Sequence, residues 1–286
     1  MKELNCDLHI VGGALTGLLT AYCVSGLGYK IVVSERRNIM LHNKKPTTDT
    51  RTTAIAEGSK DFLKSQGLWN LIKEFAEPIK NIKVVDTTAN SNLDFINPIS
   101  KSNLGYIVKN SKLISILIKE LKKKNDVTFV TESTLNSIYY NNSKIISCSN
   151  NKKINSKLII AADGKNSTVR KILGTNFFKK KYNEKALVIN FFHERPHNNI
   201  AYEFFLKTGP LAILPMQKER KRNQSALIWS NRPEIVDKIA SSDLDDKFVE
   251  EILSEKIYEQ LGRITNINSL QSFPLSAHIN EKFYDN

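Results

Sequence analysis

Charged residues vanish from the chain shortly after it begins. From Ile10 to Tyr29 no charge occurs, and within "HIVGGALTGLLTAYCVSGLGYKIVVSE" two apolar runs flank a longer stretch broken by Gly12, Gly13 and Gly17. A bilayer span needs about 20 apolar residues, and a signal peptide is also apolar and N-terminal, so both readings compete here. Glycines clustered in the first third argue for a turn instead of a continuous helix. Glu3 and Asp7 precede the run where a signal would be basic. The β-branched run Ile31, Val32, Val33 ends at Glu35, as the second parallel strand of a βαβ unit would. The pattern predicts strand, glycine turn, helix and strand.

Further along, Phe62, Leu63, Leu71 and Ile72 predict a helix pair around Gly67, after a polar loop at 42–53. "IKNIKVVDTTANSNLDFIN" reads as a hairpin. In "SKLISILIKELKKK", Leu113, Ile116, Leu117 and Leu121 recur at helical spacing, and the lysines gather at the end that the helix dipole favours. Strands follow in "VTFVTES", "LNSIYYNN", "KIISCSN" and "KLIIAADG". Beyond residue 175, "ALVINFFHE", "IAYEFFLKTG", "LAILPM" and "SALIWS" predict an antiparallel sheet, and "DLDDKFVEEILSEKIYEQLG" a single helix. The order implies an α/β layer interrupted by a second, antiparallel layer built from segments near 76–102 and 176–274.

Composition changes this picture little. The chain has 286 residues, 41% of them hydrophobic, enough for one large core or two smaller ones. A formal net charge of +13 raises the question of nucleic acid or anionic lipid. The basic clusters "KELKKKND", "FFKKKYNEK" and "KERKRN" read as solvated helix ends and loops, and no nucleic-acid-binding motif accompanies them. A peripheral contact with anionic membrane needs no motif and stays open. Cys6, Cys23 and Cys148 form no CxxC pair, which gives a reduced, cytoplasmic protein as the default. No metal site is expected: the five histidines make no HExxH, and Pro196 separates His193 from His197.

Two turns carry candidate chemistry. In a GxGxxG fingerprint one glycine makes the bend, a second admits a pyrophosphate to backbone N–H groups, and a third lets helix and strand pack. Here the pattern is Gly12, Gly13, Ala14, Leu15, Thr16, Gly17, with alanine in place of the middle glycine. Glu35 stands where a strand-end carboxylate would meet an adenosine ribose. The plain alternative is a βαβ packing unit. In "LIIAADGKNSTVRKILG" a strand delivers Asp163 and Gly164 to a turn, followed by Ser167 and Arg170 at a helix start. Any capped strand-to-helix turn looks similar, so this motif gains weight only beside the first.

"IVGGALTG" with Glu35, "TRTTAIAEGSKDFLKSQGLW", "GYIVKNSKLISIL", "AADGKNSTVRKILG" and "GPLAILPM…SALIWS" occur in one order. In that order the chain resembles the FAD-dependent aromatic hydroxylases of ubiquinone biosynthesis, relatives of para-hydroxybenzoate hydroxylase. The resemblance implies a Rossmann-like FAD-binding layer at 1–75 and 103–175, interrupted by an antiparallel-sheet substrate domain at 76–102 and 176–274. It implies FAD contacts from Gly12, Gly13, Ala14, Gly17, Glu35, Arg36, Arg51, Asn110, Asp163 and Gly164, with Asp163 and Gly164 also meeting a passing NAD(P)H. Gly209, Pro210 and Pro215, in a strand pair, would lie where the aromatic substrate docks.

The implied reaction is hydroxylation of a polyprenyl phenol with NAD(P)H and O2, through a flavin hydroperoxide. The implied setting is the cytoplasm, peripheral to the inner membrane or within a ubiquinone-biosynthesis complex. No catalytic acid or base stands out. His193, His197 and Tyr202 read as structural or surface residues. Departures from the family pattern are Ala14, Lys109 where relatives carry an acid, and the ending "FPLSAHINEKFYDN". Residues 275–286 are therefore expected to begin a further FAD-binding segment, in a fragment or truncated variant. The rival readings are a truncated non-catalytic protein that binds lipid or a partner, and another flavoenzyme such as a prenyl-lipid reductase. A halogenase is disfavoured because WxWxIP is absent.

Overall fold

The computed structural model describes residues 2–39, 49–89, 91–96, 102–141, 143–150, 152–241 and 246–285. Most of the polar loop expected at 42–53, with His42, lies outside the described residues. The chain divides into two compact units, residues 1–48, 111–180 and 278–286 in the first and 49–110 and 181–277 in the second.

In the first unit, β2 (Leu8–Val11), β3 (Ile31–Ser34), β9 (Val127–Val130) and β13 (Leu158–Ala161) form a parallel sheet in the order β13-β2-β3-β9. All four residues of β3 are buried, which is why the sequence there is an unbroken apolar run. Helix α1 (Leu15–Val24) returns the chain from β2 to β3. Helix α4 (Asn110–Leu121) buries Leu113, Ile114, Leu117, Ile118 and Leu121, while Ile116, expected on that face, is only half-buried. A second sheet has the order β1-β12-β11-β10, from β1 (Lys2–Asn5), β10 (Leu135–Asn141), β11 (Lys144–Ser149) and β12 (Lys152–Ser156). Neither β1 nor β12 was expected from the pattern. They pair with each other in parallel, so each depends on a partner about 150 residues away.

The second unit holds two sheets. Strands β4 (Thr52–Ala56), β5 (Glu77–Ile79) and β8 (Gly105–Lys109) make the antiparallel order β4-β8-β5. This pairing ties residues 49–75 to the second unit, so the sequence-derived boundaries at 75/76 and 102/103 fall inside it. Helices α2 (Glu57–Ser65) and α3 (Trp69–Ile72) form the expected pair about Gly67, with Leu63, Trp69 and Ile72 buried and Phe62 and Leu71 exposed.

The large sheet runs β18-β14-β17-β16-β15-β6-β7. It is built from β6 (Asn81–Asp86), β7 (Ser91–Ile96), β14 (Phe177–His193), β15 (Ile200–Leu206), β16 (Gly209–Glu219), β17 (Arg222–Asn231) and β18 (Ile264–Asn280). The hairpin β6–β7 is antiparallel as expected, whereas β6 meets β15 in parallel. Helices α6 (Pro233–Ala240), which was not expected, and α7 (Asp246–Leu261) cover one face. Val249, Leu253, Ile257 and Leu261 pack there with Leu187, Ile189, Phe191, Phe204, Leu211, Ile213 and Trp229. Each such side chain contributes about 1.5–3 kcal/mol on burial.

Candidate cofactor site

At the carboxyl end of β2 the chain bends at Gly12, whose φ is +116°. A Cβ there would stand 2.3 Å from the Ala162 carbonyl oxygen, and one on Gly17 would stand 1.9 Å from the Gly12 oxygen. The bend is thus wedged between helix α1 and the end of β13, and only glycine fits. Ala14 is the exposed N-cap of α1; it supplies no side-chain cap, and no acid stands in the first turn. The first intrahelical bond runs from the Leu18 amide to the Ala14 carbonyl, 2.9 Å, which leaves the amides before Leu18 without helical acceptors.

Glu35, 8% exposed, closes the bend from β3: its Oε2 accepts from the Gly13 amide at 2.8 Å and its Oε1 from the Arg37 amide at 3.1 Å. A carboxylate has about four acceptor positions, so capacity remains for a ligand hydroxyl. Opposite, Asp163 Oδ2 accepts from the Thr168 amide at 2.6 Å and the Val169 amide at 3.2 Å, capping helix α5 (Thr168–Ile172). Its Oδ1 is buried and has no hydrogen-bond partner among the described residues. Gly164, at φ +83°, has open space where a Cβ would stand.

A cleft of about 210 Å³ joins these groups, lined by Gly12, Ala14, Glu35, Arg36, Asp163 and Gly164. Gly13 and Gly17 support it from within the turn. Sequence reasoning missed Ser133, Thr134 and Thr168 on its walls. The signal existed for Ser133 and Thr134: they follow β9, and ligands of parallel sheets lie beyond the carboxyl ends of the strands. Under the cleft, His9 is fully buried, its Nε2 2.8 Å from Ser34 Oγ and its Nδ1 2.8 Å from Ser147 Oγ. Burial pushes its pKa down to about 4.

The remaining predicted residues belong to the second unit. Arg51 makes a two-pronged ion pair with Asp49, at 2.8 Å on both contacts, and lies over the Phe273 ring. The Asn110 amide donates to the Arg51 carbonyl at 3.0 Å, and Asn110 Oδ1 accepts from Thr53 Oγ1. The structure therefore brings Arg51 and Asn110 together. Gly209, Pro210 and Pro215 all lie on β16, which corrects the expected strand pair: this one strand is paired with β15 on one side and β17 on the other. Lys109, the odd residue of its motif, pairs with Glu219 at 3.0 Å. His193 bonds Ser225 Oγ and the Arg195 carbonyl, and His197 bonds the Met216 carbonyl and the Asn199 amide. Both are buried. Among the described residues no three His, Cys, Asp or Glu side chains gather as metal ligands, and no helix is long and apolar enough to cross a membrane.

The residues present fit an anionic nucleotide: free amides at a helix start attract phosphate, and an orphaned carboxylate oxygen seeks a hydroxyl donor. The comparisons agree. A family model described as FAD binding domain matches residues 5–286. Ubiquinone hydroxylase UbiL of Rhodospirillum rubrum is 27% identical over 282 residues, covering 98% of this chain and 64% of that protein. The mitochondrial ubiquinone biosynthesis monooxygenase COQ6 of Danio rerio is 30% identical over 266 residues, covering 87% and 54%. The chain thus spans less than two thirds of the length of these relatives. The crystal structure of p-nitrophenol 4-monooxygenase PnpA from Pseudomonas putida superposes with a TM-score of 0.76 at 16% identity, over 100% of this chain and 71% of that one. The flavin-dependent monooxygenase PieE, solved with FAD and substrate, gives 0.76 at 15% identity, over 100% and 52%. At such identities these structures share the fold.

Proposed function

We propose, for a chain that belongs to the FAD binding domain family, that it serves FAD-dependent hydroxylation of the aromatic ring of a polyprenyl phenol in ubiquinone biosynthesis. One observation carries the reading: the uncapped start of α1 and Asp163 Oδ1, which has no partner among the described residues, belong to turns that line the same cleft. The amides at the start of α1 would hold the pyrophosphate. Glu35 and Asp163 would accept from hydroxyls of the bound molecule, and Arg36 would balance phosphate charge at the rim. Arg51 and Asn110 are proposed to contact the FAD phosphates, and Gly209 and Pro210 to border the ring, whereas Pro215 alternates with Leu211 and Ile213 toward the helix-covered face. FAD, when bound, would supply the redox chemistry, with NAD(P)H as the electron source and O2 giving one oxygen atom to the ring and the other to water. The protein's part is to orient the ring and exclude water.

The named activities of UbiL and COQ6 support this substrate class. A polyprenyl substrate resides in membrane, so the basic surface is proposed to hold the protein at anionic lipid; sedimentation with anionic vesicles that fades at high salt is the expected result. The central test is reconstitution. Purified protein given FAD should retain a yellow chromophore absorbing near about 450 nm and should oxidise NAD(P)H when a short-chain prenylphenol is added. Well-folded protein that stays colourless contradicts the reading.

A further inference from the structure

The large sheet of the second unit has two unlike faces. Tyr202, Phe204 and Leu206 of β15 turn toward the helix-covered core. Alternation sends Ala201, Glu203 and Phe205 to the other face. Register places Glu203 beside Ala212 of β16 and Val84 of β6, and Val84 beside Leu93 of β7. Along the same rows stand Phe205 with Pro210, and Ala212 with Ile228. One end of this face is closed: Ala201, Met216 and Ala226 pack against Ile79 and Ile107 of the small sheet. Toward the other end the apolar side chains are open to solvent, with Phe205 48% and Leu93 56% exposed; Phe95, opposite Ile82 in the closed row, is 48% exposed on the edge strand β7.

Within that open apolar area Glu203 is half-buried. No hydrogen bond or ion pair to it is found among the described residues. Burial alone pushes its carboxyl pKa up. A second acid on this face, Asp86, is occupied at the hairpin turn, where it accepts from Thr88 and Ala89. A desolvated carboxylate with no partner, set among apolar and aromatic side chains, is an arrangement that folding alone does not favour and that ligand binding can justify.

Resting on the reading above, we infer that Glu203 is the specificity-determining residue of the ring site: it accepts the hydrogen bond of a neutral phenol hydroxyl and repels rings that bear a carboxylate. The apolar neighbours supply a surface for the ring and for an alkyl tail, and the acid supplies direction. Withdrawing the hydroxyl proton toward Glu203 also raises electron density on the ring, which favours its oxygenation. A ring carrying its own negative charge would meet Glu203 and Asp86, while the described residues that register places along the Glu203 row, Leu93, Val84 and Ala212, carry no charge to offset them.

The test uses the full chain and two probes of matched size, 4-propylphenol and 4-propylbenzoate, titrated calorimetrically with and without FAD. Wild-type protein should bind the phenol at least about tenfold more tightly than the benzoate, the scale of one hydrogen bond to a charged group. Glu203→Gln should weaken phenol binding several-fold and narrow the preference, and Glu203→Lys should reverse it, with thermal melting unchanged within about 2 °C since the site is half-exposed. Equal binding of both probes to wild type, or a preference unaltered in Glu203→Gln, overturns the assignment. FAD binding without either probe binding also overturns it and leaves the cofactor reading standing. Phenol selectivity without FAD binding supports Glu203 and contradicts the cofactor reading.

Discussion

Gly12 and Gly209 are both held at positive φ, and at both a Cβ would press within 2.3 Å of a carbonyl oxygen, that of Ala162 for the first and Ser230 for the second. By glycine content alone the two turns look equally special. They differ in what surrounds them. Gly209 begins a strand paired on both sides, so nearby backbone groups find partners in the ladder. Gly12 leads into a helix start with uncapped amides and shares its cleft with a carboxylate oxygen that has no hydrogen-bond partner among the described residues. A glycine forced by packing says little about ligands; polar groups left over after packing say much more.

The largest effect should come from attacking the bend itself. Gly12→Val meets backbone on the far side and forbids the present φ, so a stability loss above about 3 kcal/mol is expected, with FAD binding lost as well. Thermal melting alongside FAD titration checks this; unchanged melting would show that the wedge against Ala162 is not as tight as described. Gly209→Val should destabilise comparably while leaving FAD affinity in the surviving folded fraction nearly intact, which would sharpen the contrast.

Acid probes the floor of the first region. His9 titrates near pH 4 when folded and near 6.5 when unfolded. Between those values the unfolded chain binds the extra proton, so stability is full above about pH 6.5 and declines by about 3 kcal/mol as pH falls to 4. Urea midpoints from pH 7 to 4 measure it, and His9→Gln should flatten this part of the profile. An unaltered profile in that variant would mean that the ring is not enclosed between Ser34 and Ser147.

Smaller effects separate cap from ligand contact at Asp163. Asp163→Ala should lose about 1–2 kcal/mol through the Thr168 and Val169 amides. Asp163→Asn keeps an acceptor for those amides yet weakens an orphaned anionic contact, so FAD affinity should fall more than stability. Equal losses in the two variants would reduce Asp163 to a helix cap. Least disruptive to the fold is Arg51→Ala, because a half-exposed ion pair is worth about 1 kcal/mol or less. If Arg51 meets the phosphates, FAD affinity should nevertheless drop about tenfold, the scale of one charge-assisted contact.

Local patterns made much of the first unit legible. The run into Gly12, the helix α1, the β-branched β3 and the Asp163 turn all declare themselves within a few residues. What the sequence concealed was long-range. β1 and β12 are short and polar, and each is a strand because of the other. β4 joins the second unit because it pairs with β8 some 50 residues later. β18 is rich in Asn and Ser and is sustained by its place at a sheet edge. Among the site residues, the glycines and acids carried a motif, whereas Ser133 and Thr134 reached the cleft through strand order, and Glu203 stood out only once the sheet had two distinguishable faces.

Backbone hydrogen exchange with and without ADP, the adenylate half of FAD, bears most directly on the cleft as a nucleotide site. ADP should slow exchange at residues 13–17, and around Glu35 and Asp163, while the Gly209 strand start stays as it was. Protection confined to other segments, or no protection at saturating ADP, would contradict the assignment of the Gly12 bend to cofactor binding.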